Sequence, residues 1–133
     1  RSDPFEGKWK CIIRDHGHKL RMPEGGKVLK LAVRGMVEAI HAVKESLGWA
    51  DADLSLVIPH QANMRIIEGI REKLGFDRER VYMNIDRYAN MSSATCAVAL
   101  AECMNSDRIK KGDRVIVTSV GAGLTTSAYG IQF

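Results

Sequence analysis

The apolar residues of this chain change period as it proceeds, and that change limits the folds open to it. Leu29, Val33, Met36, Ile40, Val43 and Leu47 recur at alternating four- and three-residue steps, which places them on one face of a helix that Gly48 ends. Leu54, Leu56, Val57 and Ile58 then form a short apolar strand that stops at Pro59. Helical spacing returns in Ile66, Ile67, Ile70 and Leu74, closed by Gly75. Residues 81–85 predict a second strand, and Ser92 and Ser93 are natural N-caps for a helix running to about Asn105. That helix is apolar nearly all round (Ala94, Cys96, Ala97, Val98, Ala99, Leu100, Ala101, Cys103, Met104), so it is expected to be buried. Residues 115–117 and 127–133 complete the pattern as two strands joined across Gly121, Ala122 and Gly123.

Strands that alternate with helices predict an α/β fold, with a mixed, mainly parallel sheet and helices on both faces. The short final connection makes the last strand antiparallel to its neighbour. Ahead of this, residues 1–22 form a lead-in where Trp9, Cys11 and Ile13 alternate and His16, Gly17 and His18 suggest a turn, giving a hairpin or two edge strands. The loop at Pro23 separates it from a domain over residues 23–133. The sequence begins at Arg1 without an initiator Met, and its first ten residues carry no cap or strand pattern, so the chain reads as cut from something longer.

Composition removes several function classes. A chain that is 45% hydrophobic and 27% charged can build one packed core and is not expected to be disordered. No apolar run approaches the roughly 20 residues that cross a bilayer, and no secretory signal is apparent at the start. Net charge is +4 without a Lys/Arg-rich block, which argues against nucleic acid and fits weak attraction to an acidic partner. Cys11, Cys96 and Cys103 are odd in number and form no CxxC pair, so a reducing, cytoplasmic compartment is expected. His16 and His18 lack further ligands, and no metal is expected.

In open α/β sheets, chemistry collects beyond the carboxyl ends of strands. Three segments qualify here: residues 59–63, residues 88–93 and the glycine pair around Ala122. Alone, His60 reads as a helix-start histidine satisfied by backbone, and Asn90 as an ordinary turn and cap. Together, imidazole and carboxamide are two neutral donors able to converge on one carbonyl oxygen. The Ala122 stretch is either a plain turn or the source of a backbone N–H for a second oxyanion.

Leu56 to Ile67, with Pro59-His60-Gln61-Ala62-Asn63 at its centre, resembles the histidine segment of the ketoacyl-ACP synthase III family. Asp86 to Thr95 resembles that family's asparagine segment, and Arg108 to Asp113 and the closing Gly-x-Gly follow in the matching order. The similarity runs from about Met22 to Phe133. One departure is Ala89, where the family usually has Gly before the asparagine. Met91-Ser92-Ser93-Ala94 is also similar to plant-type polyketide synthases, but those follow their histidine with Pro-Gly rather than Gln61-Ala62-Asn63.

The resemblance implies the C-terminal half of a thiolase-like fold, completed by an N-terminal half of the same enzyme and usually dimeric. It implies decarboxylative Claisen condensation of an acyl-CoA primer with malonyl-ACP, without a cofactor. His60 and Asn90 are then the catalytic donors to the malonyl thioester oxygen, and the N–H at or beside Ala122 holds the other oxyanion. Ala62, Asn63 and Arg65 are expected to bind CoA or the acyl carrier protein, with Lys73 more simply a solvated residue. The nucleophilic Cys belongs to the N-terminal half. Cys96 and Cys103 are one heptad apart in an apolar helix and Cys11 has no base nearby, so the isolated chain is expected to be inactive. Two rivals remain: a polyketide or secondary-metabolite starter enzyme, and a non-catalytic carrier-protein-binding module.

Overall fold

The computed structural model describes residues 24–133, so the lead-in strands and the His16 and His18 turn lie outside the described residues. Helix α1 spans Gly25–Leu47, β1 Leu56–Pro59, α2 Met64–Leu74, α3 Ile85–Tyr88, α4 Ala94–Asn105, β2 Arg114–Val120 and β3 Thr126–Gln132. The predicted helix stops hold: Gly48 and Gly75 both adopt the left-handed conformation at φ 67° and 66°, where a side chain is disfavoured.

The sheet has the order β1-β2-β3, with β1 parallel to β2 and β2 antiparallel to β3. Alternation along the strands sends their side chains to two separate cores. Val57 and Ile116 join Val33, Met36, Ile40, Ile67 and Ile70 beneath α1 and α2. Leu56, Ile58, Val115 and Val117 face the opposite way onto Ala99 and Cys103 of α4. Helices on both faces of a mixed sheet are what the alternating periods imply.

Two expectations need correction. Residues 81–85 do not make a full strand: Val81 forms a single parallel bridge to Val57, and the Tyr82 N–H reaches the Val57 carbonyl at 2.8 Å. The ladder then ends because the buried side chain of Gln61 takes its place. Gln61 Oε1 accepts from the Asn84 N–H at 2.9 Å, while Nε2 donates to the carbonyls of Pro59 and Tyr82 at 2.7 and 3.2 Å. Ile85 is free to begin α3.

The second correction concerns α4, which is buried only along Thr95, Ala99 and Cys103. Ala94, Ala97, Ala101 and Met104 lie exposed on a second stripe at steps of three, four and three. Apolar composition alone implies burial all round, but among the described residues only one side of this helix has a sheet to pack against.

Candidate active site

The carboxyl ends of β1 and β2 place the first group. Pro59 pairs with Thr118, and the His60 N–H continues that ladder by donating to the Thr118 carbonyl at 2.7 Å. The chain then turns sharply, with the Ala62 N–H returning to the His60 carbonyl at 2.8 Å. Asn63 caps α2 by accepting the Arg65 N–H on Oδ1 at 2.9 Å. This is the role that residue type prefers before a helix, so the structural task of the Asn63 side chain is the helix cap. Ala62 is half-buried against the α1 and α2 core, while Asn63 and Arg65 are exposed at the α2 entrance.

The His60 imidazole is 9% exposed, and burial pushes its pKa below the ordinary 6.5, which favours the neutral ring. Its Nδ1 hydrogen-bonds the Thr95 hydroxyl on α4. The same hydroxyl lies 3.0 Å from the Ser92 carbonyl. Thr95 itself is fully buried.

Asn90 arrives by a different route. It follows α3, whose end is held by a cluster around Glu102 of α4. That carboxylate accepts from Tyr82 Oη at 3.1 Å, Asn84 Nδ2 at 2.5 Å, Arg87 Nη1 at 2.9 Å and Tyr88 Oη at 2.9 Å. The Asn84 donor is foremost in holding the Glu102 carboxyl below its ordinary pKa, against the opposing effect of burial. Beyond α3, Ala89 has φ 55° and ψ −160°, a region essentially reserved for glycine. This explains structurally why Ala is the irregular residue of the segment.

The Asn90 carboxamide is oriented by its own turn. Oδ1 accepts the Ser92 N–H at 2.9 Å, and Nδ2 is thereby turned toward the Ala62 carbonyl, 3.5 Å away. Ser92 adopts φ 56°. The expected serine caps are not made: Ser93 occupies the cap position in helical conformation with no side-chain hydrogen bond. Asn90 has taken over the turn chemistry instead, through Oδ1 alone. One carboxamide atom fixes the loop, and the other remains a donor.

The structure therefore brings the His60 and Asn90 segments together, through Nδ2 to Ala62 and through Thr95 to His60. Ala122 sits apart in hydrogen-bonding terms. It opens a short 3₁₀ turn, Ala122–Leu124, directly after β2, where a first-turn N–H has no partner within the helix. Gly121 N–H is tied to the Thr125 carbonyl at 2.8 Å, and no hydrogen bond joins Ala122 to His60 or Asn90 among the described residues. Cys96 and Cys103 fit the packing expectation, while Cys11 lies outside the described residues: Cys103 is buried with its thiol pushed up to about 11, and burial also raises Cys96. A cavity of about 360 Å³ beside Met64, Arg71 and Tyr82 contains none of these groups.

Sequence reading missed Thr95, Gln61 and Glu102 as members of the arrangement. Glu102 did leave a signal, since it is the only charged residue in α4. Gln61 and Thr95 fall inside the two motif segments, but nothing local marks their tasks, because the partners that matter, Tyr82 and Asn84 for Gln61 and His60 for Thr95, are distant in sequence.

Known proteins share this fold. Residues 45–133 match the family model described as 3-oxoacyl-[acyl-carrier-protein (ACP)] synthase III C terminal. A beta-ketoacyl-[acyl-carrier-protein] synthase III of Clostridium novyi is 40% identical over 98% of this chain and 40% of its own length. The crystal structure of the synthase III of Thermus thermophilus superposes with a TM-score of 0.82 at 44% identity, covering 88% of this chain and 36% of that one. That of Aquifex aeolicus gives 0.82 at 40% identity, covering 90% and 38%. The chain thus spans well under half the length of the relatives it matches. A histidine loop and an asparagine turn locked over one sheet end, in a chain matched by that model from residue 45 onward, make this protein a member of the 3-oxoacyl-ACP synthase III C-terminal family.

Proposed function

We propose that this chain is the C-terminal part of a 3-oxoacyl-ACP synthase III, and that His60 and Asn90 form its decarboxylation site. One observation carries the reading: the Asn90 turn meets the His60 loop, with Nδ2 of Asn90 3.5 Å from the Ala62 carbonyl, while the buried His60 imidazole is tied through Nδ1 to Thr95, five residues after Asn90. Two neutral donors suit an oxygen that is a carbonyl in the substrate and gains charge only in the transition state.

The reaction balances without a cofactor. An acyl group on a Cys of the N-terminal half waits as a thioester. The malonyl carboxylate leaves as carbon dioxide, and the electron pair of the broken C–C bond passes into the thioester as an enolate. His60 and Asn90 donate to the enolate oxygen. The enolate carbon then attacks the acyl-Cys carbonyl, forming the new C–C bond, and the C–S bond breaks to return the thiolate. The N–H at or beside Ala122 serves the oxyanion of that second, tetrahedral stage. Each donor in such a site is worth about 3 kcal/mol of barrier.

Other features support the whole-enzyme context. The stripe Ala94, Ala97, Ala101 and Met104 on α4 gives the N-terminal half an apolar surface to cover. Arg65 is exposed at the start of α2, which supports a role in meeting an acidic carrier protein, and on the same reading Ala62 and Asn63 would line the path of CoA or phosphopantetheine. No helix among the described residues is long and apolar enough to cross a membrane. A cytoplasmic homodimer using acyl-CoA and malonyl-ACP follows from this reading. The synthase III relatives favour it over a polyketide starter enzyme or a non-catalytic module.

The test is condensation by the complete enzyme carrying His60→Ala or Asn90→Ala. We expect each variant to lose condensation by about 10²–10³-fold while still taking the acyl group onto its Cys. Intact condensation in either would remove that residue from the site.

A further inference from the structure

The His60 side chain raises a question that its two ring nitrogens answer differently. A neutral imidazole has one N–H. If that proton is on Nδ1, it points at Thr95, and Nε2 presents a bare lone pair to the site. Such a lone pair repels an enolate oxygen. If the proton is on Nε2, the ring donates into the site, and Nδ1 must accept a hydrogen bond from within the protein. The partner Nδ1 has is the Thr95 hydroxyl.

We propose that Thr95 is a positioning residue that selects the Nε2–H tautomer of His60 by donating its hydroxyl proton to Nδ1. The inference rests on the decarboxylation reading above, and it identifies what makes the histidine a donor rather than a base. The geometry allows the hydroxyl to point this way without penalty elsewhere. Its alternative acceptor, the Ser92 carbonyl at 3.0 Å, also receives the Thr95 backbone N–H at 3.3 Å. Turning the hydroxyl to His60 therefore leaves no orphan carbonyl behind. Both partners are buried, so water does not substitute for the bond. Burial also keeps the ring neutral, which is the state in which tautomer choice matters.

The arrangement has a second consequence. Thr95 lies five residues after Asn90 and on the same segment, so one stretch of chain supplies a donor carboxamide and sets the proton of the other donor. A shift of the whole 90–95 stretch relative to β1 would disturb both at once, whereas loosening of the Asn90 turn alone leaves Thr95 in place on α4.

The decisive measurement is the ¹⁵N spectrum of histidine-labelled complete enzyme at neutral pH. We expect His60 Nδ1 to appear as an unprotonated, hydrogen-bonded nitrogen and Nε2 as an N–H. In Thr95→Val the Nδ1 signal should lose its hydrogen-bond shift. The kcat for malonyl decarboxylation should fall about tenfold with KM changed less than about twofold, in keeping with the loss of one hydrogen bond. Thr95→Ser should restore both, since it keeps the hydroxyl. A protonated Nδ1 in the unsubstituted enzyme would overturn the proposal regardless of how the variants fold. So would a Thr95→Val enzyme with unchanged Nδ1 signal and kcat. Failure of the underlying reading looks different: His60→Ala would then decarboxylate malonyl-ACP normally, whatever the tautomer.

Discussion

The two halves of this site are built by opposite means. The His60 loop extends a strand ladder: its N–H continues the β1–β2 pairing, and none of its residues adopts a positive φ. The Asn90 turn has no ladder beneath it. It carries two non-glycine residues at positive φ, Ala89 and Ser92, and is held by side chains gathered on Glu102. Local strain of this kind costs about 1–3 kcal/mol per residue and persists only where surrounding contacts fix it. A donor placed by backbone hydrogen bonds should tolerate distant change, and a donor placed by a clamp should not.

Gln61 is the place where this difference can be broken most completely, because it serves both halves. Its carboxamide ties Pro59 beside His60 to Tyr82 and Asn84 ahead of α3. Gln61→Leu keeps much of the volume and leaves the Asn84 N–H unpaired in a buried position. We expect a loss of about 3 kcal/mol in stability, read by denaturant unfolding, together with falling activity. A neutral outcome would mean that water or another group replaces Gln61.

Glu102→Gln sharpens the contrast. It should loosen α3 and the Asn90 turn while leaving the His60 backbone bonds in place. We expect about a tenfold fall in malonyl decarboxylation, with the His60 ¹⁵N signals little changed. The wild-type carboxylate also predicts a pH dependence. Hydrogen bonds, that from Asn84 first, place the folded pKa below the ordinary 4.5. As pH falls, the unfolded chain takes up the proton before the folded one does. The stabilisation is therefore complete above about 4.5 and is lost as pH drops through the lower folded value. Unfolding curves from pH 6 downward should show this loss in the wild type and a flatter profile in Glu102→Gln.

Ala89→Gly should have the smallest effect and the opposite sign. Removing the Cβ relieves about 1–3 kcal/mol of strain, and the added freedom of the unfolded chain offsets about 0.5–1 kcal/mol of that. A net gain of about 1 kcal/mol in thermal or denaturant unfolding is expected. No gain would show that the surrounding clamp already absorbs the strain.

These differences track what a sequence can reveal. The α1 and α2 helices, their glycine stops and the strand ending at Pro59 were legible because periodicity and local caps determine them. The antiparallel final strands were legible from the short connection between them. His60 and Asn90 could be named from the motif, but their support could not. The Gln61 side chain replaces a stretch of strand ladder from more than twenty residues away, so residues 81–85 look like a strand and are not one. Likewise, the pattern of α4 shows an apolar helix but not which of its sides meets a sheet. Ala89 was visible as an odd residue, and only the backbone angles show why it is odd.

The most direct test of a shared donor site is a double-mutant cycle on malonyl-ACP decarboxylation, measured in the complete enzyme without acyl primer. We expect His60→Ala and Asn90→Ala each to slow it by about 10²–10³-fold, and the double variant to lose much less than the product of the two. Donors that hold one oxygen together are not independent. Wild-type decarboxylation in either single variant, or fully multiplicative losses in the double, would contradict a joint role for His60 and Asn90.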